Sequence, residues 1–269
     1  MSTDSTLNET MVEEFWRKYL TTGEFVKETR QRKFFRMLPG SPRCKNCYAP
    51  FQGAGSRVVS MLYGKKPSNL NPQLCNVCEV FAREYQGGAE VELSLLFVDV
   101  RGSTSLAEGM STSEYSRLIN RFYRTATHVM VHTDALIDKI IGDQAAGMYV
   151  PGFAGEHHAR RAVEAGRQIL SDAGYSSPDG PWIPLGAGVH TGVAFVGALG
   201  SEEGTADITV LGDVPNTAAR LSSSAGEGEI LVSESALSSA GIDPGRLQKR
   251  TLELKGKSQP VDVWVMLVD

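Results

Sequence analysis

The stretch that most constrains the fold of this chain is residues 91–100, which read VELSLLFVDV and predict a buried strand. Its last six residues, LLFVDV, are apolar except for one carboxylate, Asp99, and a polar turn at residues 101–104 (RGST) follows them. A charged group at the end of a buried strand costs free energy unless it has a partner. Asp99 therefore either caps the turn or binds a cation such as Mg²⁺, which prefers a few carboxylates together with phosphate oxygens.

A second acid, Asp143, lies at the tip of a predicted hairpin. Residues 135–141 and 145–150 are strand-like and flank Gly142-Asp143, a pair that is typical of tight turns. The same two interpretations apply to this acid, since Asp is a common turn residue and also a common Mg²⁺ ligand.

The periodicity of the remaining sequence predicts helices packed on strands. Residues 111–114 (STSE) have the spacing of a capping box, and apolar residues then recur at helical spacing from Tyr115 to Met130. A second helix is predicted from the apolar positions between Ala159 and Leu170. Further strands are predicted at 185–189 and 193–196, on either side of Thr191-Gly192, and at 208–211. Helices on a mainly antiparallel sheet make the fold class α+β.

Charge and hydropathy exclude several classes of protein. The formal net charge is −4 over 269 residues, so no global basic field would attract nucleic acid or an anionic membrane. No run of 18 apolar residues occurs, and the N-terminus lacks the basic and apolar regions of a secretory signal. We therefore expect a cytoplasmic protein without a membrane-bound segment.

The composition changes at residues 86–88 (QGG), which predicts a first domain over residues 1–86 and a second over residues 87–269. The first domain opens with a predicted helix over about residues 8–37. It also carries four cysteines, in two CxxC pairs that are separated by 27 residues: Cys44, Cys47, Cys75 and Cys78. This spacing is typical of four-thiolate zinc, and we expect one structural Zn²⁺ per chain.

The metal and the role of the cysteine module leave alternatives. An iron–sulfur cluster is the second choice of metal, since four thiolates also suit iron. Basic residues surround the cysteines, so a nucleic-acid-binding zinc finger is a competing role. Interspersed glutamates, and the absence of a base-reading helix signature after the second pair, favour instead a regulatory or dimer-organising module.

Six stretches in order carry a resemblance to a known family. They are LLFVDVRGSTSLAE, IDKIIGDQAAGMY, LGAGVHTGVAFVGALGS, DITVLGDVPNTAARL, ILVSESAL and LELKGKSQPVDVW. From about residue 92 to residue 268 the chain resembles the class III adenylyl and guanylyl cyclase catalytic domain. The resemblance implies a ferredoxin-like, antiparallel-rich sheet with helices packed on it. It also implies a nucleotide cyclase, with ATP as the expected substrate.

The resemblance implies a role for each matching residue. Asp99 and Asp143 correspond to the metal-binding aspartates, and Val100 would offer its carbonyl to one metal. The substrate-binding positions would be the backbone N–H groups of Gly102, Ser103 and Thr104 for the triphosphate, Lys255 for its tail, and Lys139 and Thr209 for adenine. Asn216 corresponds to the asparagine that orients the ribose, and Arg220 to the transition-state arginine.

Two positions depart from the family pattern. Pro215 stands where the family usually has Val, and it opens a predicted helix, where proline is tolerated. The family's Gly-Phe-Thr turn is Gly102-Ser103-Thr104 here, which keeps its N–H donors.

The resemblance implies two Mg²⁺ or Mn²⁺ ions per active site. It also implies a homodimer, because the metal aspartates of one catalytic domain face the lysine, threonine, asparagine and arginine of another. A cyclase acting on GTP or a pyrimidine nucleotide is the alternative within the enzyme class. A nucleotide-binding or zinc-dependent nucleic-acid-binding regulator without catalysis is the alternative outside it.

Overall fold

The computed structural model describes residues 3–200, 205–257 and 259–268. The chain consists of two compact units, and each is discontinuous in sequence. The first consists of Met1–Val91, Val150–Gly155 and Ala194–Leu211, and the second of Glu92–Tyr149, Glu156–Val193 and Gly212–Asp269.

The strands of the described residues form one mixed sheet. They are β1 Gly87–Val100, β2 Leu136–Ile141, β3 Gln144–Tyr149, β4 Leu185–Gly200, β5 Ala206–Leu211, β6 Ile230–Ser233, β7 Gln248–Leu252 and β8 Val261–Met266. Their order is β2-β3-β1-β4-β6-β8-β7, and β5 pairs with β4. The pairs β1–β3, β2–β3, β4–β5, β6–β8 and β7–β8 are antiparallel, whereas β4–β6 is parallel.

Ten helices lie among the described residues. They are α1 Thr3–Thr21, α2 Val26–Met37, α3 Gly53–Tyr63, α4 Asn76–Glu84, α5 Ser103–Glu108, α6 Thr112–His132, α7 Pro151–Ala154, α8 His158–Asp172, α9 Asp213–Ser224 and α10 Glu234–Ala240. In the second unit, α6, α8, α9 and α10 pack on the sheet. The predicted α+β class with helices on an antiparallel-rich sheet is confirmed.

Several local predictions are confirmed. Ser111 caps α6 by accepting from the Glu114 N–H, and the Glu114 carboxylate accepts from the Ser111 N–H, which completes the capping box. The second predicted helix lies within α8, with its apolar positions buried. The predicted hairpin is also present, with β2 and β3 within one residue of the predicted bounds. Its turn contains Gly142, which takes a φ of +64° that an L residue rarely adopts.

Two predictions about element boundaries are wrong. The single predicted helix over residues 8–37 is two helices, α1 and α2, and Gly23 between them has a φ of +63°, which is incompatible with a continuous right-handed helix. The two short strands predicted around Thr191-Gly192 are one strand, β4, that passes through these residues without a turn. The reversal comes after Gly200, where β5 pairs back on β4 with Gly200 opposite Ala206.

Helices α1 and α4 of the first unit share an aromatic core. Phe15 stacks on Tyr85 with ring centroids 4.8 Å apart, and Trp16 lies edge-on to Phe81 at 5.5 Å. The Trp16 indole also donates to the Tyr85 carbonyl at 2.9 Å. Helix α4 also carries Cys78, and the Tyr19 hydroxyl of α1 donates to the Asn46 side-chain carbonyl at 3.4 Å, so this core adjoins the cysteines. None of the helices in the described part of the chain is long and apolar enough to cross a membrane.

Candidate active site and metal centre

The end of strand β1 brings the two acids of the sequence analysis together. Strand β1 pairs with β3 so that Asp99 lies opposite Gln144, the residue directly after Asp143. The Val100 N–H donates to the Asp143 carbonyl at 3.0 Å. The Tyr123 hydroxyl, from α6, donates to the Gly142 carbonyl at 2.6 Å and fixes the tip of the hairpin.

Both acids line a cavity of about 350 Å³. The lining residues are Asp99, Lys139, Ile141, Asp143, Gln144 and Ser223. The cavity therefore combines two carboxylates, one exposed lysine from the neighbouring strand β2 and two neutral polar side chains. This is a donor set suited to a divalent cation and a phosphate-bearing ligand.

Asp99 is buried, and its partners come from the turn after β1 and from the end of α9. The Arg101 guanidinium forms an ion pair with the Asp99 carboxylate. Arg101 also donates to the Ser223 carbonyl at 2.8 Å, which ties the turn to α9. Burial raises the pKa of Asp99, Arg101 and Ser223 oppose this rise, and the charge of Asp143 adds to it. Asp99 is thus a partly desolvated carboxylate whose charge is offset mainly by one arginine.

Asp143 is held by Ser103, which follows the turn after β1. The Ser103 hydroxyl donates to the Asp143 carboxylate at 2.5 Å. Gly102, directly before it, takes a φ of +61°, and α5 begins at Ser103. Ser103 and Thr104 therefore form the first turn of a helix that starts beside the acids.

A second, basic cluster lies along α9 and the loop before β8. Arg220 points toward this loop, since a Cβ placed on Gly256 would lie 3.2 Å from its guanidinium. Lys257 forms an ion pair with Asp213 at the start of α9. Asn216 and Lys255 are exposed. Among the described residues, neither Asn216 nor Arg220 lines the cavity that holds Asp99 and Asp143.

Thr209 belongs to the first unit, where β5 carries it. Strand β5 alternates, with Ala206, Ile208 and Val210 buried, whereas Asp207 and Thr209 project from the other face. Thr209 lies opposite Gly197 of β4.

The four cysteines of the first unit form one buried cluster, and their Sγ atoms all lie within 4.8 Å of one another. The Cys47 and Cys75 sulfurs are 3.7 Å apart. A zinc–sulfur bond of about 2.3 Å in a tetrahedron gives a sulfur–sulfur edge of about 3.8 Å. The backbone N–H of Cys75 donates to the Cys44 sulfur at 3.3 Å, and that of Cys78 to the Cys75 sulfur at 3.4 Å. The cluster could therefore hold one metal ion.

Three polar residues of the cavity region were not predicted from the sequence. Arg101 could have been found, because residues i and i+2 of an extended chain lie on one side, which puts its charge beside Asp99. Gln144 follows from the register of the predicted hairpin. Ser223 had no local signal, since it reaches the cavity from the far end of α9.

Comparison with known families accounts for this combination of sheet and acids. The family model described as "Adenylate and Guanylate cyclase catalytic domain" matches residues 87–267. The chain belongs to this family. Its catalytic-domain segment includes both acids, the basic cluster and β5.

Three relatives illustrate the range of the cyclase family. An adenylate cyclase of Anabaena cylindrica is 27% identical over 182 residues, which cover 64% of this chain and 36% of that protein. The crystal structure of the guanylyl cyclase Cya2 is 29% identical with a TM-score of 0.60, covering 68% of this chain and 96% of that one. The crystal structure of the adenylyl cyclase CyaB from P. aeruginosa is 25% identical with a TM-score of 0.58, covering 68% of this chain and 96% of that one.

The chain spans about a third or less of the length of the curated relatives that it matches. The similarity to them therefore lies in the catalytic domain. Cyclases named for both purine nucleotides occur among the relatives, so the family alone does not assign the base.

We predict that His190 makes stability depend on pH. The His190 Nδ1 atom forms a hydrogen bond of 2.8 Å with the Ser233 hydroxyl. Burial, together with the charge of Lys257, lowers the pKa of His190 to about 4. The unfolded chain binds this proton below about pH 6.5 and the folded chain only below about 4, so stability falls as pH falls between these values.

Guanidinium unfolding at pH 7.5 and 5.0 measures this effect. Relative to His190→Gln, the wild type should lose about 2 kcal/mol between the two pH values. His157→Gln, at an exposed position, is the matched control and should track the wild type. Equal pH dependence of the wild type and His190→Gln would contradict the prediction.

Proposed function

We propose that this protein is an adenylate cyclase that converts ATP to 3′,5′-cyclic AMP and pyrophosphate at the interface of a homodimer. The observation that carries the proposal is the placement of Asp99 and Asp143 on one cavity at the end of β1. Family membership supports nucleotide cyclisation, since the family match includes both acids.

The acids fit two Mg²⁺ or Mn²⁺ ions per site, because two carboxylates and the carbonyl of Val100 are hard oxygen donors that leave positions for substrate phosphates. When bound, such ions supply Lewis acidity that lowers the pKa of the ribose 3′-hydroxyl and offsets phosphate charge. The partial burial of Asp99 suits this role, because a desolvated carboxylate gains more from a cation than a hydrated one.

The remaining residues bind and orient the substrate. The turn of Gly102, Ser103 and Thr104 offers N–H groups to the triphosphate, and the Ser103 hydroxyl orients Asp143. In the reaction the 3′-oxygen bonds to the α-phosphorus, its proton passes to water, and the bond from the α-phosphorus to the pyrophosphate oxygen breaks. Asn216 orients the ribose, Lys255 binds the triphosphate tail, and Arg220 offsets charge on the transferred phosphoryl group. Loss of a single such donor costs roughly 2.7–4 kcal/mol of transition-state stabilisation.

The separation of Asn216 and Arg220 from the two acids within one chain supports a homodimer. Asp99 and Asp143 share a cavity, whereas Asn216 and Arg220 lie on α9 outside it. One chain thus offers two incomplete half-sites. A twofold interface would join the acidic half of each chain to the basic half of its partner and give two equivalent sites.

Lys139 and Thr209 support adenine as the base, through the family resemblance alone. Lys139 lines the cavity. The second candidate is GTP, which the similarity to the guanylyl cyclase Cya2 favours.

Residues 1–86 are proposed to form the metal module and residues 87–269 the catalytic domain. The module's four thiolates fit one zinc ion. Their sulfurs are close enough to share a single ion, whereas the cysteines of an iron–sulfur cluster bind different irons. We propose that the module is regulatory, with nucleic-acid binding as the weaker alternative.

The first experiment tests cyclisation and base choice together. Purified protein is incubated with ATP, GTP, CTP and UTP in Mg²⁺ or Mn²⁺, and products are identified by mass spectrometry. Cyclic AMP should predominate. Cyclic GMP in its place would move the assignment to the guanylyl class, and no cyclic product from any nucleotide would refute catalysis.

The shared site predicts complementation between two inactive variants. Asp99→Ala should remove a carboxylate that binds the divalent cations, and Arg220→Ala should lower kcat by a factor of roughly 10²–10³. When the two are mixed, one of the two sites in each heterodimer is intact, so activity should return in part. Absence of rescue, with heterodimers demonstrated by native mass spectrometry, would contradict the shared site.

Metal analysis tests the cysteine module. Protein purified without oxygen should contain one zinc per chain, measured by inductively coupled plasma mass spectrometry. Cys47→Ser should lower this content and reduce stability, because a structural site contributes its binding free energy to folding. Ser60→Ala, on neighbouring α3, should leave the zinc content unchanged. Iron in place of zinc would change the assignment to an iron site. Protein that contains neither metal would refute the metal site.

A further inference from the structure

The cysteine module contacts the strand that carries Thr209. Lys45 lies between the first two cysteines, Cys44 and Cys47, and its Nζ forms an ion pair with the Asp207 carboxylate at 2.5 Å. The Lys45 side chain is only 5% exposed, whereas that of Asp207 is 42% exposed. A buried lysine needs a paired charge, so this contact strongly constrains the position of Asp207.

The second cysteine pair reaches the same strand through Asn71. This side chain is buried and donates to the Ala206 carbonyl at 3.1 Å and to the Asp207 carboxylate at 3.5 Å. Asn71 is itself fixed, because its side-chain carbonyl accepts from the Gln73 N–H at 3.0 Å. The segments around the two cysteine pairs, here called the two knuckles, are also joined to each other, since the Lys45 N–H donates to the Gln73 carbonyl at 2.9 Å.

Both knuckles therefore converge on Asp207, two residues before Thr209. Residues i and i+2 of a strand project from the same face, about 7 Å apart. A shift of Asp207 along or across the strand would thus move Thr209 with it. Both residues also pair with the same neighbouring strand, Asp207 with Leu199 and Thr209 with Gly197 of β4.

We infer that the four-cysteine module positions Thr209 through Lys45 and Asn71 and so determines how well the enzyme recognises the nucleotide base. Lys45, Asn71 and Asp207 are positioning residues that act through Thr209. This inference rests on the proposed role of Thr209 in base binding. The metal module becomes part of the substrate-recognition apparatus, so metal content and nucleotide affinity are coupled.

The test uses two variants that break the ion pair from opposite ends, Lys45→Met and Asp207→Asn, in the full chain. Each should raise KM for ATP and lower the preference for ATP over GTP by about tenfold, the scale of losing one well-placed binding group, with kcat changed much less. Lys66→Met, at an exposed position of the same module, is the control and should keep wild-type KM and selectivity.

Two readouts do not depend on activity. Zinc content should stay at the wild-type level in Asp207→Asn, because the four thiolates are untouched. Hydrogen exchange followed by mass spectrometry should show faster exchange in peptides that cover β5, with peptides that cover β6 and β8 unchanged. Asp207→Asn keeps the test decisive if Lys45→Met fails to fold, since Asp207 lies outside the cysteine loops.

The outcomes separate this inference from the proposed function. An active wild type, together with an Asp207→Asn variant that keeps wild-type KM and selectivity, would overturn the inference and leave the cyclase assignment standing. Faster β5 exchange without a change in KM or selectivity would also overturn it. A wild type that forms no cyclic nucleotide would overturn the proposed function, and unchanged β5 exchange in both variants would then refute the structural link as well.

Discussion

The close placement of two carboxylates at the end of β1 is the constraint on which the catalytic half of this protein depends. Burial raises the pKa of Asp99, and the charge of Asp143 raises it further. The chain offsets this cost locally, with Arg101 on Asp99 and Ser103 on Asp143. The sheet register fixes the geometry, because the Val100 N–H bonds the Asp143 carbonyl. Such a site holds stored electrostatic repulsion that a divalent cation would relieve.

Arg101 links the two acids to helix α9. The same guanidinium that pairs with Asp99 donates to the carbonyl of Ser223 near the end of α9. Helix α9 also carries Asn216 and Arg220 at positions nearer its start. The acidic cavity and the basic cluster are therefore joined through one side chain and one helix.

The first unit contains buried polar groups around its four cysteines. Lys45 is buried within the first knuckle and Asn71 is buried before the second. Both satisfy their polar atoms on β5. A polar group that has no partner in the protein interior is costly, so these contacts fix the module on that strand. The aromatic core of α1 and α4 supplies apolar burial on which the module rests.

The sequence by itself determined the parts of this protein that depend on local pattern. The strand that ends in Asp99, the hairpin with Asp143, the capping box of α6 and the two cysteine pairs all follow from spacing and periodicity. Only the tertiary structure decided the rest. The break at Gly23 and the continuity of β4 through Gly192 depend on backbone angles that a residue type permits but does not impose. Ser103 bonds Asp143, which lies 40 residues away, and Lys45 pairs with Asp207, which is farther still along the chain. Such contacts arise when distant segments pack together, so no local window of sequence contains them.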